Sequence, residues 1–174
     1  MADTSDIETR SATLADAAAI AAIYNEGIAD RVATFETEPR SVAQIAEWFS
    51  GRRIVVVAET GKDGLVAFAA SSPYSDRPCY SGIGEFSAYV RRDYRHRGAG
   101  RAVLAALMEA ATAAGLHKLT SWVFPENLAS RALLKRLGFE EIGIHRRHGK
   151  LDGYWRDCVI VERLLDTGSA EDQA

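Results

Sequence analysis

The sequence predicts one α/β (α+β) domain, with a single mixed central sheet of about six to seven strands flanked by about four helices. Three observations carry this. The chain has 174 residues, 47% of them hydrophobic and 26% charged, enough for one sizeable core and ordinary for a globular protein. Short β-branched and apolar runs alternate with stretches at helical spacing, and no internal repeat or low-complexity linker divides them. A strand–helix–strand unit sits in the middle of the chain.

Each element has a local reason. "DIETRSAT" reads as a short strand, after which Leu14, Ile20, Ile23 and Tyr24 fall at helical spacing. "ADRVATFETEP" breaks that period and ends in Pro39, so it reads as a loop. Ser41 is placed to cap a helix "VAQIAEWF" that Gly51 closes. "RIVVVAE" and "GLVAFAASS" flank the turn signal "TGKDG" and form a hairpin. A loop "SPYSDRPCYSGI" leads to the strand "GEFSAYV". A helix over 99–114 follows, with Val103, Leu104, Leu107, Met108 and Ala111 on one face and Gly115 as its stop. "KLTSWVF" is a fifth strand and "ENLASRALLKRLGF" a helix ending at Gly138. Two last strands flank "KLDG". The expected limits are a flexible N-terminus over 1–5, the domain over 6–165 and a disordered tail over 166–174.

Composition narrows the function. A net charge of -3 argues against a general nucleic-acid binder, and no apolar run is long enough to span a membrane. "MADTSDIETR" lacks the basic and apolar segments of a signal peptide. Cys79 and Cys158 are too few for a disulfide framework, so the expected compartment is the cytoplasm.

Against that acidic background, "YVRRDYRHRGAGRAVLAALMEAA" concentrates basic residues around two glycines at the start of a helix. The first backbone N–H groups of a helix lack internal partners, and the helix dipole is positive there. Gly98 and Gly100 would let a ligand approach that backbone, with Arg95, Arg97 and Arg101 adding charge, a combination suited to a phosphate or pyrophosphate. A dinucleotide fingerprint would need glycine at Val103, and a Walker loop would need Gly-Lys-Ser/Thr; both fail.

Arg95-His96-Arg97-Gly98-Ala99-Gly100 resembles the [QR]xxGx[GA] pattern of the GCN5-related N-acetyltransferases, and Asn127 with "LASRALLKRLGF" resembles that family's Nxx[AS]xxLYxxxGF segment. The resemblance spans about residues 6–165. It implies acetyl-CoA as co-substrate, its pyrophosphate held by Arg95, His96, Arg97, Gly98, Ala99, Gly100 and Arg101. It further implies a pantetheine arm along the splayed strand at Ala88, Tyr89 and Val90, and contributions from Asn127 and Ser130.

Acetyl transfer requires the amine to lose a proton and the thioester oxygen to be stabilised, and a proton helps the thiolate leave. Alternation on "GEFSAYV" sends Phe86, Ala88 and Val90 to one face and Glu85, Ser87 and Tyr89 to the other. A polar row on a central strand points to a cleft, and Glu85 is the candidate general base. The family's tyrosine acid falls on Leu134, leaving Tyr89, Tyr154 or solvent as the proton source. Cys79 has no neighbouring histidine to support an acyl-cysteine route, and the HxxH pair His145 and His148 is interleaved with Arg146 and Arg147, so no metal is expected.

Tyr24-Asn25, "ATFETEPRS", "RPCY" and "GKLDGYWRD" resemble the phosphinothricin, methionine sulfoximine and arsinothricin acetyltransferase subfamily. That implies the α-amino group of a small anionic amino acid as acceptor, and a homodimer. Arg77 is the candidate cation for the substrate's anionic groups, Phe35, Thr37 and Tyr80 the pocket walls, and Tyr154 with Trp155 its closure. A protein N-terminus, a polyamine or an aminoglycoside stays open as acceptor because of the acidic "ETE" at 36–38. So does a catalytically silent acetyl-CoA sensor, which Glu85 argues against. A nucleic-acid module would need an aromatic platform beside its arginines.

Overall fold

The computed structural model describes residues 6–166; the flexible segment expected over 1–5 and nearly all of the expected tail lie outside the described residues. Seven strands form one sheet: β1 (Glu8–Ser11), β2 (Ile54–Thr60), β3 (Gly64–Pro73), β4 (Ile83–Val90), β5 (Lys118–Val123), β6 (Glu140–Leu151) and β7 (Tyr154–Leu164). Four α-helices accompany it: α1 (Ala17–Asp30), α2 (Val42–Ala46), α3 (Ala99–Ala113) and α4 (Leu128–Arg136). The order is β1-β2-β3-β4-β5-β7-β6, with β7 inserted between β5 and β6. Every neighbouring pair is antiparallel except β4–β5, the two strands joined through α3.

Alternation along the strands divides the core into two layers. Val56, Val66, Phe86 and Leu119 face Val103, Leu104 and Leu107 of α3 and Leu134 of α4. Val55, Val57, Phe68 and Tyr89 face Ile20 and Ile23 of α1 and Ile45 of α2. Truncating a fully buried ring such as Phe68 to alanine would cost about 3–5 kcal/mol.

Some boundaries differ from the sequence expectation. The first helix opens with a 3₁₀ turn at Leu14–Asp16, which leaves Leu14 exposed rather than on the buried face, and α1 then runs on to Asp30. Arg31 ends it in the left-handed conformation at φ 59°. The second helix is α-helical only through Ala46 and tightens to 3₁₀ over Glu47–Ser50. Its capping box is present: the Gln44 N–H donates to Ser41 Oγ and the Ser41 N–H to Gln44 Oε1. Among the described residues no helix is long and apolar enough to cross a membrane.

Candidate active site

The sheet opens at its centre. β4 pairs with β3 along Gly84–Val90 but with β5 only through Ile83, Gly84 and Glu85. Beyond Glu85 the link is a side chain, Ser121 Oγ donating to the Phe86 carbonyl at 2.7 Å. The Arg91 N–H donates to Val66 on β3, so alternation turns the N–H groups of Ala88 and Val90 the other way, to the parted edge. Tyr89 differs from those two. Its backbone faces β3, and its buried ring stacks on Phe68 with centroids 5.4 Å apart and meets Tyr24 at 4.7 Å. Burial pushes its hydroxyl far above the ordinary tyrosine range, which suits a core residue rather than a proton donor to a leaving group.

The parted edge leads to the start of α3. Ser41 caps α2 and Asn127 caps α4, but α3 has no side-chain cap; Gly98 stands there at φ 90°, beyond His96 at φ 61°. The first-turn N–H groups of α3 therefore have no side-chain cap. Gly100 has a different basis: a Cβ there would come within 3.1 Å of Leu133 and 3.3 Å of Val90, so this glycine seats the helix against α4 and β4. Buried Ala99 belongs to the same packing.

The arginines divide into two groups. Arg92 and Arg95 both reach Asp30 at 2.6 Å, and Arg91 pairs with Asp93 at 2.7 Å. Arg97, stacked over Tyr94, and Arg101 carry no ion pair among the described residues, and His96 beside them is exposed. Arg95, expected to meet phosphate, thus locks the turn to α1, while Arg97 and Arg101 are the open cations. Asn127 is committed on both sides, its Oδ1 accepting from the Ser130 N–H and its Nδ2 donating to the Val32 carbonyl. Leu134, at the family's tyrosine position, is buried in the core.

Glu85 is half-buried and is the last β4 residue paired with β5, opposite Thr120, at the point where the strands part. Desolvation raises its pKa, and the positive charge of Arg53 opposes the rise. Around it, Phe35 packs on Phe124 with centroids 4.9 Å apart, which lays the loop after α1 over the end of β5. A Cβ on Gly149 would come within 2.8 Å of the Phe35 ring, so glycine lets the β6–β7 hairpin approach it. The Arg31 guanidinium donates to the Glu36 and Thr37 carbonyls, holding Thr37 in this loop. Arg77 is exposed over the Tyr80 ring at 5.5 Å, and Tyr80 meets Tyr74 edge-on. Tyr154 is exposed at the hairpin turn and Trp155 lies under Lys150 Nζ. His145 and His148 approach with Nδ1 atoms 3.2 Å apart, but no group of three metal-binding side chains occurs among the described residues.

Sequence reasoning missed one part of the site. A cleft of about 390 Å³ is lined by Arg40, Gln44, Glu47, Trp48, Gly51, Arg52, Arg53, Ser72 and Pro73, and Ser72 pairs with Glu85 across β3–β4. Arg53 stands over the Trp48 ring at 4.6 Å. The signal was present in the alternation of β2, which puts Arg53 on the face of Val55 and Val57. An arginine pair before an apolar strand nevertheless reads as a solvated strand start.

Comparison with known proteins fits this geometry. The acetyltransferase (GNAT) family profile matches residues 20–139. The L-methionine sulfoximine/L-methionine sulfone acetyltransferase of Pseudomonas paraeruginosa is 33% identical, over 90% of this chain and 94% of that protein. A GNAT superfamily phosphinothricin acetyltransferase from Sinorhizobium meliloti, solved in complex with acetyl-CoA, superposes with a TM-score of 0.85 at 31% identity, covering 92% of this chain and 89% of that one. The ribosomal-protein-alanine N-acetyltransferase of Brucella melitensis superposes with a TM-score of 0.86 at 31% identity, covering 91% and 99%.

Proposed function

The chain belongs to the GNAT acetyltransferase family and is an N-acetyltransferase using acetyl-CoA; from that premise we propose that its acceptor is the α-amino group of a small anionic amino-acid analogue of the phosphinothricin, methionine sulfoximine or arsinothricin type, a detoxification or resistance activity. The observation that carries this is the position of Glu85, a half-buried carboxylate at the last paired step before β4 and β5 separate. A base at that point serves an amine arriving from the α1–α2 side while the donor lies along the parted edge.

Acetyl-CoA supplies the acyl group as a thioester. In this reading the first-turn N–H groups of α3, with Gly98, Arg97 and Arg101, hold its phosphates, and the backbone of Ala88 and Val90 holds the arm. Glu85, directly or through water, takes the proton that the ammonium must lose. The amine nitrogen then forms a bond to the carbonyl carbon and sheds a second proton to solvent, the carbon–sulfur bond breaks, and solvent protonates the thiolate. Phe35, Thr37, Arg77 and Tyr80 bound the acceptor pocket, and Tyr154 lies at its outer rim. No metal enters the scheme. We place the enzyme in the cytoplasm, where its two free cysteines stay reduced. A homodimer is part of the reading, supported by Ile142, Ile144, Tyr154 and Trp155, all more than half exposed on the β6–β7 hairpin. Sedimentation as one monomeric species would remove it.

The test is thiol release from acetyl-CoA with phosphinothricin, methionine sulfoximine, arsinothricin, a polyamine and an alanine-initiated peptide in parallel. Turnover with the amino acids at least about tenfold more efficient than with the other two is expected, a gap of about 1.4 kcal/mol. Turnover of the peptide alone would move the acceptor to protein N-termini, and thiol release with none would mark a silent binder.

A further inference from the structure

Arg53 has no anion in contact, and Glu85 acts on it only across a longer gap. The Arg53 guanidinium is half-buried over Trp48, yet among the described residues it makes no ion pair and no hydrogen bond. Arg40, which lines the same cleft, pairs with Glu36, whereas exposed Arg52 has no ion pair among the described residues and is solvated. A desolvated, unmatched charge costs free energy unless a ligand supplies the missing partner. Burial accordingly lowers the pKa of Arg53, with Glu85 and Tyr24 partly offsetting it.

The sheet register says what that ligand touches at its other end. Ser72 pairs with Glu85 across β3–β4, and Ile54 pairs with Ser71 across β2–β3; Arg53, the residue just before β2, lines the same cleft as Ser72. Arg53, Ser72 and Glu85 thus form one row, from the head of β2 across β3 to β4, on the face that carries Val55, Ala70 and Tyr89. Two strand spacings separate the backbones of Arg53 and Glu85, about 10 Å. Ser72 and Arg53 both line the cleft, together with Arg40 and Arg52, while Glu47 is its acidic member.

Resting on the acceptor reading above, we propose that Arg53 is a specificity-determining residue that binds the distal oxyanion of the acceptor while Glu85 serves its amine. In a glutamate-like amino acid the nitrogen and the distal acid centre are separated by roughly four bonds, about 5 Å in an extended chain. That length bridges two side chains rooted at opposite ends of the row. The α-carboxylate, on the carbon that bears the amine, stays close to Glu85 and falls to the Arg77 loop. The Trp48 ring, 4.6 Å from the Arg53 guanidinium carbon, positions the cation, whose fork of N–H donors suits a bidentate contact with a phosphinyl or carboxylate group.

The experiment compares wild type with Arg53→Gln in thiol release at saturating acetyl-CoA, using phosphinothricin and methionine sulfone. Both acceptors carry the α-amino acid end; only the first has a distal negative charge. The ratio of the KM for phosphinothricin to that for methionine sulfone should rise about ten- to hundredfold in the variant. A ratio unchanged within about twofold overturns the proposal, whether both constants move together or neither moves. Absence of wild-type turnover with any amino acid is the failure of the acceptor reading instead. If only the variant gives no turnover, calorimetry with inorganic phosphate under saturating coenzyme A decides: binding lost in Arg53→Gln supports the site, and equal or absent binding in the two proteins overturns it.

Discussion

At the scale of single residues, the base role proposed for Glu85 follows from its position. Half-burial raises its pKa toward the range where proton acceptance from an ammonium is effective, and Arg53 limits the rise. The carboxylate form does the work, so kcat/KM should fall as pH drops through that raised pKa. Glu85→Gln should lower kcat about 10²- to 10⁴-fold near neutrality and leave the acetyl-CoA Kd within about twofold. The defect should shrink as pH rises, because the amine then sheds its proton unaided. Near-normal turnover of the variant by thiol release would end the role. Glu85 was legible in the sequence because period-two alternation isolates it on a central strand. Arg53 was not, because its meaning depends on the register of three strands and on Trp48 arriving from another element. Tyr89 had the opposite fate. Its position in the polar row was right, but the row's far end is roofed by Tyr24 and by Gly27, where a Cβ would lie 2.5 Å from the Tyr89 ring.

At the scale of elements, the parting of β4 from β5 and the bare start of α3 form one device. The parallel pair stops after three register steps, so the strand edge and the uncapped helix continue one another as a line of backbone donors. The glycine signal was legible as chemistry but not in its division of labour. Gly98 supplies the left-handed turn, whereas Gly100 admits Leu133 and Val90. Similarly, the charge of the turn was visible, but its pairing was not: Asp30, more than sixty residues away, holds Arg92 and Arg95. Gly98→Glu would put a negative charge at the proposed phosphate site, on a backbone at φ 90° that side chains adopt poorly. Acetyl-CoA affinity should fall at least about a hundredfold by calorimetry, equivalent to about 2.7 kcal/mol. Wild-type affinity in a folded variant would displace the phosphate site from this turn.

At the scale of the whole molecule, all seven strands were legible, yet their order was not, since nothing local to "EEIGIHRRHGKLDGYWRDCVIVERLL" says that β7 enters beside β5 before β6. Long-range pairs of this kind also fasten the edge of the fold. Arg10 on β1 bonds Asp16 at 2.8 Å and Glu59 on β2 at 2.9 Å, while the Thr13 N–H donates to Asp16 at 2.7 Å. These contacts join the first strand, the entry of α1 and the second strand. The Arg10 hydrogen bonds hold the Asp16 pKa down to about 2, although burial pushes the other way. A depressed folded pKa means that the stabilisation is complete above the unfolded value of about 4 and is lost as pH falls toward 2. Arg10 remains partly exposed, so solvent screening reduces the contribution to about 1–2 kcal/mol. Asp16→Asn should therefore lower Tm by about 2–8 °C near neutrality. The gap between variant and wild type should close between pH 4 and pH 2. Thermal melts followed by circular dichroism across that range provide the check. A gap that stays constant down to pH 2 would show that the amide disturbs packing rather than charge, and would detach Asp16 from the acid sensitivity of the fold.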